Sequence, residues 1–94
     1  MDEILLCSAA AEGNLAAMDA LLKKGVSPNG RDQRGSSALS YAASFGQVDA
    51  AALLLEAGVD INARNLDGQT ALSSIDGSEL LDMITWLEVR GAMR

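Results

Sequence analysis

The segment Asp32-Gln33-Arg34-Gly35-Ser36-Ser37-Ala38-Leu39-Ser40-Tyr41-Ala42-Ala43-Ser44-Phe45-Gly46-Gln47, resumed at Leu53-Leu54-Leu55-Glu56-Ala57-Gly58-Val59-Asp60-Ile61-Asn62-Ala63, contains a complete structural statement. Ser37 carries a hydroxyl able to accept from the unpaired amides that open a helix, which predicts a first helix from Ala38 to about Phe45. Gly46 ends it, because a left-handed residue at a helix terminus costs glycine little. A second helix is predicted from about Val48 to Ala57, with Leu54 and Leu55 on its buried stripe and Gly58 closing it. Between helix pairs the chain alternates and holds Gly and Asn, the composition of an extended, hairpin-like connection.

The same statement recurs along the chain. A shift of 33 residues places Leu6 on Leu39 and Leu72, Leu21 on Leu54 and Leu87, and Gly25 on Gly58 and Gly91. It also places Asn29 on Asn62, Arg31 on Arg64, Gly35 on Gly68 and Asp49 on Asp82. At this offset 18 of 61 pairs are identical, against about five expected from an Ala- and Leu-rich composition, so the period is a property of order and not of bias. The expected organisation is a single domain over 1–94, with units of about 1–31, 32–64 and 65–94. Ala9-Ala10, Ala42-Ala43 and Ala50-Ala51-Ala52 mark places where helices approach closely. No such helix is long enough to stand alone in water, so each unit depends on stacking against its neighbour.

This pattern resembles the ankyrin repeat over essentially the whole chain. The resemblance implies an all-α solenoid of three helix-turn-helix units joined by short hairpin-like loops, and protein binding in place of catalysis. The family's Thr-Pro-Leu-His opening is Ser37-Ala38-Leu39-Ser40 in the middle unit and Thr70-Ala71-Leu72-Ser73 in the next. Without Pro and His those turns should be less rigid, because Ala lacks the preset dihedral and a hydroxyl makes only part of an imidazole's bonding. In the last unit Ile75-Asp76 replaces an Ala pair, Glu79 a Gly and Glu88 a Leu. It is therefore read as a degenerate cap, with its first helix shortened at Asp76-Gly77 and Ser78 or Asp76 capping the second. The segment from Leu54 to Asn62 is also similar to ankyrin stretches hydroxylated on asparagine in animals. A hairpin Asn bonding its own backbone accounts for Asn62 without modification.

Composition removes several classes of function. The chain has 94 residues, no His and one Cys, so neither a Cys-His or Ser-His nucleophile pair nor a zinc-ligand spacing can be assembled. No cofactor is expected, and Cys7 is read as a small core residue at the position of Ser40 and Ser73. A lone Cys and a start, Met1-Asp2-Glu3, without a basic leader point to a reducing, cytoplasmic setting. The longest strictly apolar run, Ala50 to Leu55, is far short of the roughly 20 residues that span a membrane. Thirteen acidic against seven basic residues, a net charge of −6, disfavour nucleic acid.

Binding residues are sought among side chains without a structural task. The resemblance implies that partners lie against hairpin tips and the exposed side of the first helices. The candidates are Arg31, Gln33, Arg34, Phe45, Arg64, Leu66 and Asp67, which gather scarce basic and aromatic groups on one edge. Local pairing of the arginines with Asp32 or Asp67 and packing of Phe45 on the adjacent unit are the structural alternatives. Tyr41 is read as a partly buried contact between units. The expected function is a non-enzymatic interaction module, an adaptor or regulatory subunit with a protein partner. The alternative is a stoichiometric inhibitor or immunity-type protein whose acidic surface covers a basic site on an enzyme. A monomer is expected, with weak homodimerisation through Met83 and Trp86, whose outer surfaces an additional unit would cover.

Overall fold

The computed structural model describes residues 2–75 and 80–93. Among these residues there are five helices and no strand: α1 (Asp2–Glu12), α2 (Leu15–Lys23), α3 (Ala38–Ser44), α4 (Val48–Glu56) and α5 (Leu81–Val89). The middle pair follows its local signals to within a residue. The Ser37 hydroxyl accepts from the Ser40 amide at 3.3 Å and opens α3. At the other end Gly46 adopts φ +69°, and the Gly46 and Gln47 amides donate back to Ala43 and Ala42 at 3.2 and 2.8 Å, using carbonyls the helix leaves free.

Like helices stack on like helices, α1 against α3 and α2 against α4. The contact is made of small residues: Ala10, Ala38, Ala42, Ala43, Ala50 and Ala51 are wholly buried. An Ala contributes little apolar area itself but lets the backbones approach. The area comes from Leu6, Met18, Leu54, Leu72, Met83 and Leu87, all fully enclosed, each worth about 1.5–3 kcal/mol of burial. Gln47 locks the first two units by donating its Nε2 to the Ala11 carbonyl at 3.0 Å, in the last turn of α1 where no helical partner exists.

The third repeat departs from the other two. Its first helix is reduced to a single turn over 71–74, with the Ser74 amide bonded to the Thr70 carbonyl at 3.0 Å. Thr70 and Ser73 cap that turn reciprocally: Ser73 Oγ accepts from the Thr70 amide at 2.7 Å and Thr70 Oγ1 from the Ser73 amide at 3.1 Å. The expected helix end at Asp76-Gly77 and the cap by Asp76 or Ser78 lie outside the described residues.

The expected exposure of Met83 and the expected self-bonding of Asn62 are corrected at this end of the stack, whereas Trp86 stays partly exposed as expected. Met83 is only 1% exposed, because α5 turns it into the common core. Trp86 is half-buried and covered by Arg90, whose guanidinium lies 3.9 Å from the ring centroid while Nη1 donates to the Trp86 carbonyl at 3.0 Å. Asn62 bonds across to the chain after α5 and not to its own backbone. Its Nδ2 donates to the Gly91 carbonyl at 3.3 Å and its Oδ1 accepts from the Met93 amide at 2.7 Å. Thr70 adds a bond to the Met93 carbonyl at 2.6 Å.

Candidate functional site

Two hairpin turns of one design project from the helical stack. In the first, Asp32 Oδ1 accepts from the Arg34 and Ser36 amides, both at 2.9 Å, while the Asp32 amide donates to the Ser36 carbonyl at 3.0 Å. In the second, Asn65 does the same for Asp67 and Gln69, at 2.9 Å throughout. The exchange of Asp for Asn is tolerated because the turn needs only a side-chain oxygen two residues before its tip. An antiparallel bridge joins Arg31 to Ser37 at the base of the first turn.

The arginines at the hairpin bases close these turns. Arg31 Nη1 donates to the Gly35 carbonyl at 3.0 Å and to the Arg64 carbonyl of the next unit, and Arg64 Nη1 donates to the Gly68 carbonyl at 2.6 Å. Both guanidinium groups are thus bonded to backbone oxygens, a pairing different from the carboxylate partners considered from sequence. The tips themselves are in contact. Gly35 sits at φ +77°, and a Cβ there would lie 2.9 Å from the Leu66 amide nitrogen and 2.8 Å from its Cγ. Leu66 covers Gly35 in this way and yet remains 79% exposed.

Between the tips and α3 runs a groove of about 270 Å³, whose lining includes Arg34, Tyr41, Phe45, Asp67, Gln69 and Ser74. Phe45 is 61% exposed, so it does not pack into the adjacent unit. It stands at the C-cap of α3. Gln33 is exposed on the first hairpin and does not line the groove. Three of the candidates from sequence, Arg34, Phe45 and Asp67, share the groove; Arg31, Gln33, Arg64 and Leu66 do not line it. Tyr41, read from sequence as a partly buried contact between units, is half-buried and lines the groove beside residues of the third unit. Its repeat equivalents are Ser8 and Ser74, so the period held no warning that a ring would stand there.

The Tyr41 hydroxyl donates to Asp32 Oδ2. That bond, ahead of the two turn amides, holds the Asp32 carboxyl below its ordinary range, against an opposing effect of burial. The same bond, with burial and the negative charge of Asp32 added, raises the Tyr41 hydroxyl. Behind the hairpin, Cys7 is 3% exposed and its thiol points at the Ser36 carbonyl at 3.9 Å. Burial first, then the charges of Asp32 and Glu3, push it from 9.0 up to about 11, so it stays a neutral thiol near neutrality.

The basic side chains are divided unevenly. Lys23 pairs with Asp19 at 2.9 Å and Lys24 with Asp2 at 3.3 Å, both at exposed positions where such pairs add little. Arg31, Arg64 and Arg90 bond to carbonyls. Among the described residues the Arg34 guanidinium makes no hydrogen bond, ion pair or ring contact of its own, although its positive charge helps to lower the nearby Asp32 carboxyl, and the Asp67 side chain lining the same groove also has no such partner. Among the described residues no cluster of three or more His, Cys, Asp or Glu side chains could hold a metal, and no helix is long and apolar enough to cross a membrane.

A stack of helix pairs with bonded hairpin tips and an open groove beside them defines a repeat scaffold. The model for ankyrin repeats in three copies matches residues 3–87, and the chain belongs to the ankyrin repeat family. Repeats of this family are protein-protein interaction modules and are typically non-enzymatic. No curated protein matches the sequence.

Proposed function

We propose that this protein is a non-enzymatic interaction module of intracellular setting, its three units acting as one domain, that binds a protein partner through the groove edge formed by Gln33, Arg34, Phe45, Leu66 and Asp67. Arg31 and Arg64 serve this edge by holding the hairpins in shape. The observation that carries the reading is the coincidence, in one groove, of the exposed Phe45 ring with Arg34, the one cation among the described residues whose side chain makes no hydrogen bond, ion pair or ring contact. Arginine and aromatic side chains dominate the energetics of protein interfaces, and neither is needed here for folding. At about 270 Å³ the groove also falls just below the ~300–1,000 Å³ of sites that enclose a small molecule.

The test is made on a partner recovered by crosslinking from the groove rim. Arg34→Ala or Phe45→Ala should each weaken binding by about 2 kcal/mol while leaving the melting temperature nearly unchanged. Glu56→Ala, on the helical face away from the hairpins, should have no effect. Loss of binding in the control alone would place the partner on the other face. The acidic balance, 13 carboxylates against 7 cations, supports a second reading as a stoichiometric inhibitor of an enzyme with a basic site. Such an inhibitor would abolish its partner's activity at equimolar ratio, whereas an adaptor would leave it intact.

A further inference from the structure

Arg34 and Asp67 occupy the same position of successive repeats, 33 residues apart, and carry opposite charges. Both line the groove, and neither side chain makes a hydrogen bond or ion pair with a described residue, the Arg34 charge acting on Asp32 only at longer range. Had the two formed an ion pair with each other, the groove would be closed and locally uncharged. Instead it presents a positive and a negative wall group along the direction of stacking, with the Phe45 ring on the α3 side, 61% exposed.

We infer that the groove takes an extended protein segment of mixed charge: an acidic residue at Arg34, a basic residue at Asp67 and an apolar residue against Phe45. The inference rests on the protein-binding reading above and specifies the partner's chemistry. Its basis is charge complementarity. A purely acidic segment would meet Asp67, and a purely basic one would meet Arg34 as a like charge, a juxtaposition that interfaces avoid. The geometry also sets a spacing. Helices of neighbouring units pack about 8–10 Å apart, and an extended chain advances about 3.3 Å per residue, so the acidic and basic residues should stand about three positions apart. The polarity follows as well, because reversing the segment would set like charges together at both ends.

A random short-peptide library displayed on phage provides the probe, panned against the wild type, Arg34→Asp/Asp67→Arg and Phe45→Ala, with each variant first checked for an unchanged melting curve. The wild type should enrich sequences with an acid and a base two or three residues apart beside an apolar residue. The exchanged variant should enrich the same spacing with the order of charges inverted, and should bind the wild-type peptides about tenfold or more weakly. Asp67→Arg alone, which disturbs one hairpin tip only, should abolish the preference for the basic residue. A wild-type consensus lacking the acid-base pair, an order of charges unchanged by the exchange, or no enrichment at all would overturn the inference. Peptides that lose binding with Phe45→Ala but ignore the exchange would overturn it while leaving the protein-binding reading intact. Peptides indifferent to both would remove that reading too.

Discussion

Asp32 does two jobs with one carboxylate, closing the first hairpin through Oδ1 and receiving the Tyr41 hydroxyl on Oδ2. Tyr41→Phe removes the strongest of the influences that lower its pKa. The Asp32 carboxyl should then titrate higher, as read by carbon-detected NMR, and stability should fall by about 1 kcal/mol. The linkage has a definite sign. Because the folded carboxyl is lowered, its contribution is whole above the unfolded carboxylate value and is lost as pH drops through the folded one. Tyr41→Phe should therefore flatten the acid limb of stability; an unchanged limb and an unmoved carboxyl would show that the bond does not form in solution. Cys7 works at the opposite extreme. Its thiol is raised to about 11 from 9.0, so its contribution is complete below pH 9 and declines as the pH climbs toward 11. Iodoacetamide at pH 8 should alkylate it only after denaturation, and Cys7→Ala should weaken the alkaline decline.

At the scale of elements, helix boundaries were legible where the rule is local. Ser37 and Gly46 announce the ends of α3 because a cap and a left-handed terminus depend on a few adjacent residues. Contacts across the period were not legible. Nothing in the spacing of Arg31 and Arg64 says that the first guanidinium reaches the second residue's carbonyl, or that Asn62 spans to Gly91 and Met93. Those depend on how the units stack, and Asn29, the repeat equivalent of Asn62, gives no hint of the second case. Asn62→Ala should cost about 1–2 kcal/mol. Amide exchange should accelerate in α5 and the residues after it while α1 keeps its protection. Equal acceleration throughout would mean that the Asn62 bridge stabilises the fold globally and does not anchor one end.

For the molecule as a whole, stability rests on interfaces between units, since no helix pair is independent of its neighbours. Ala43 is wholly buried where α3 meets α1. Ala43→Leu should overpack that contact and cost about 1–3 kcal/mol, lowering the midpoint of unfolding followed by circular dichroism, which should remain one transition. An unchanged melting temperature would refute the packing. The repeat and its all-helical stack could be read from sequence because 33-residue periodicity is a global signal. The groove was half readable: Arg34, Phe45 and Asp67 stood out as residues without a structural task, whereas Tyr41 was hidden by serine at both equivalent positions. The inward turn of Met83 was legible in principle, because the 33-residue register sets it on Ala50, a buried close-packing position, and the expectation of an exposed face gave that register too little weight.

The contact of the two hairpin tips over Gly35 has an evolutionary corollary. Because the spacing of the tips is set where Gly35 meets the backbone and side chain of Leu66, a β-carbon at 35 falling 2.9 Å from the Leu66 nitrogen and 2.8 Å from its Cγ, the other side chains on the tips are released from this role. Mutational tolerance should then be sharply graded over a few neighbouring codons. Substitutions at Gln33, Arg34 and Asp67 would drift or be selected freely, rewriting recognition while the frame stays constant, whereas even alanine at 35 would lever the tips apart. A deep mutational scan of folding would register this as intolerance at Gly35, alongside the turn-closing Asp32 and Asn65, beside permissive Gln33, Arg34 and Asp67, the profile wanted in a scaffold for selecting new binders.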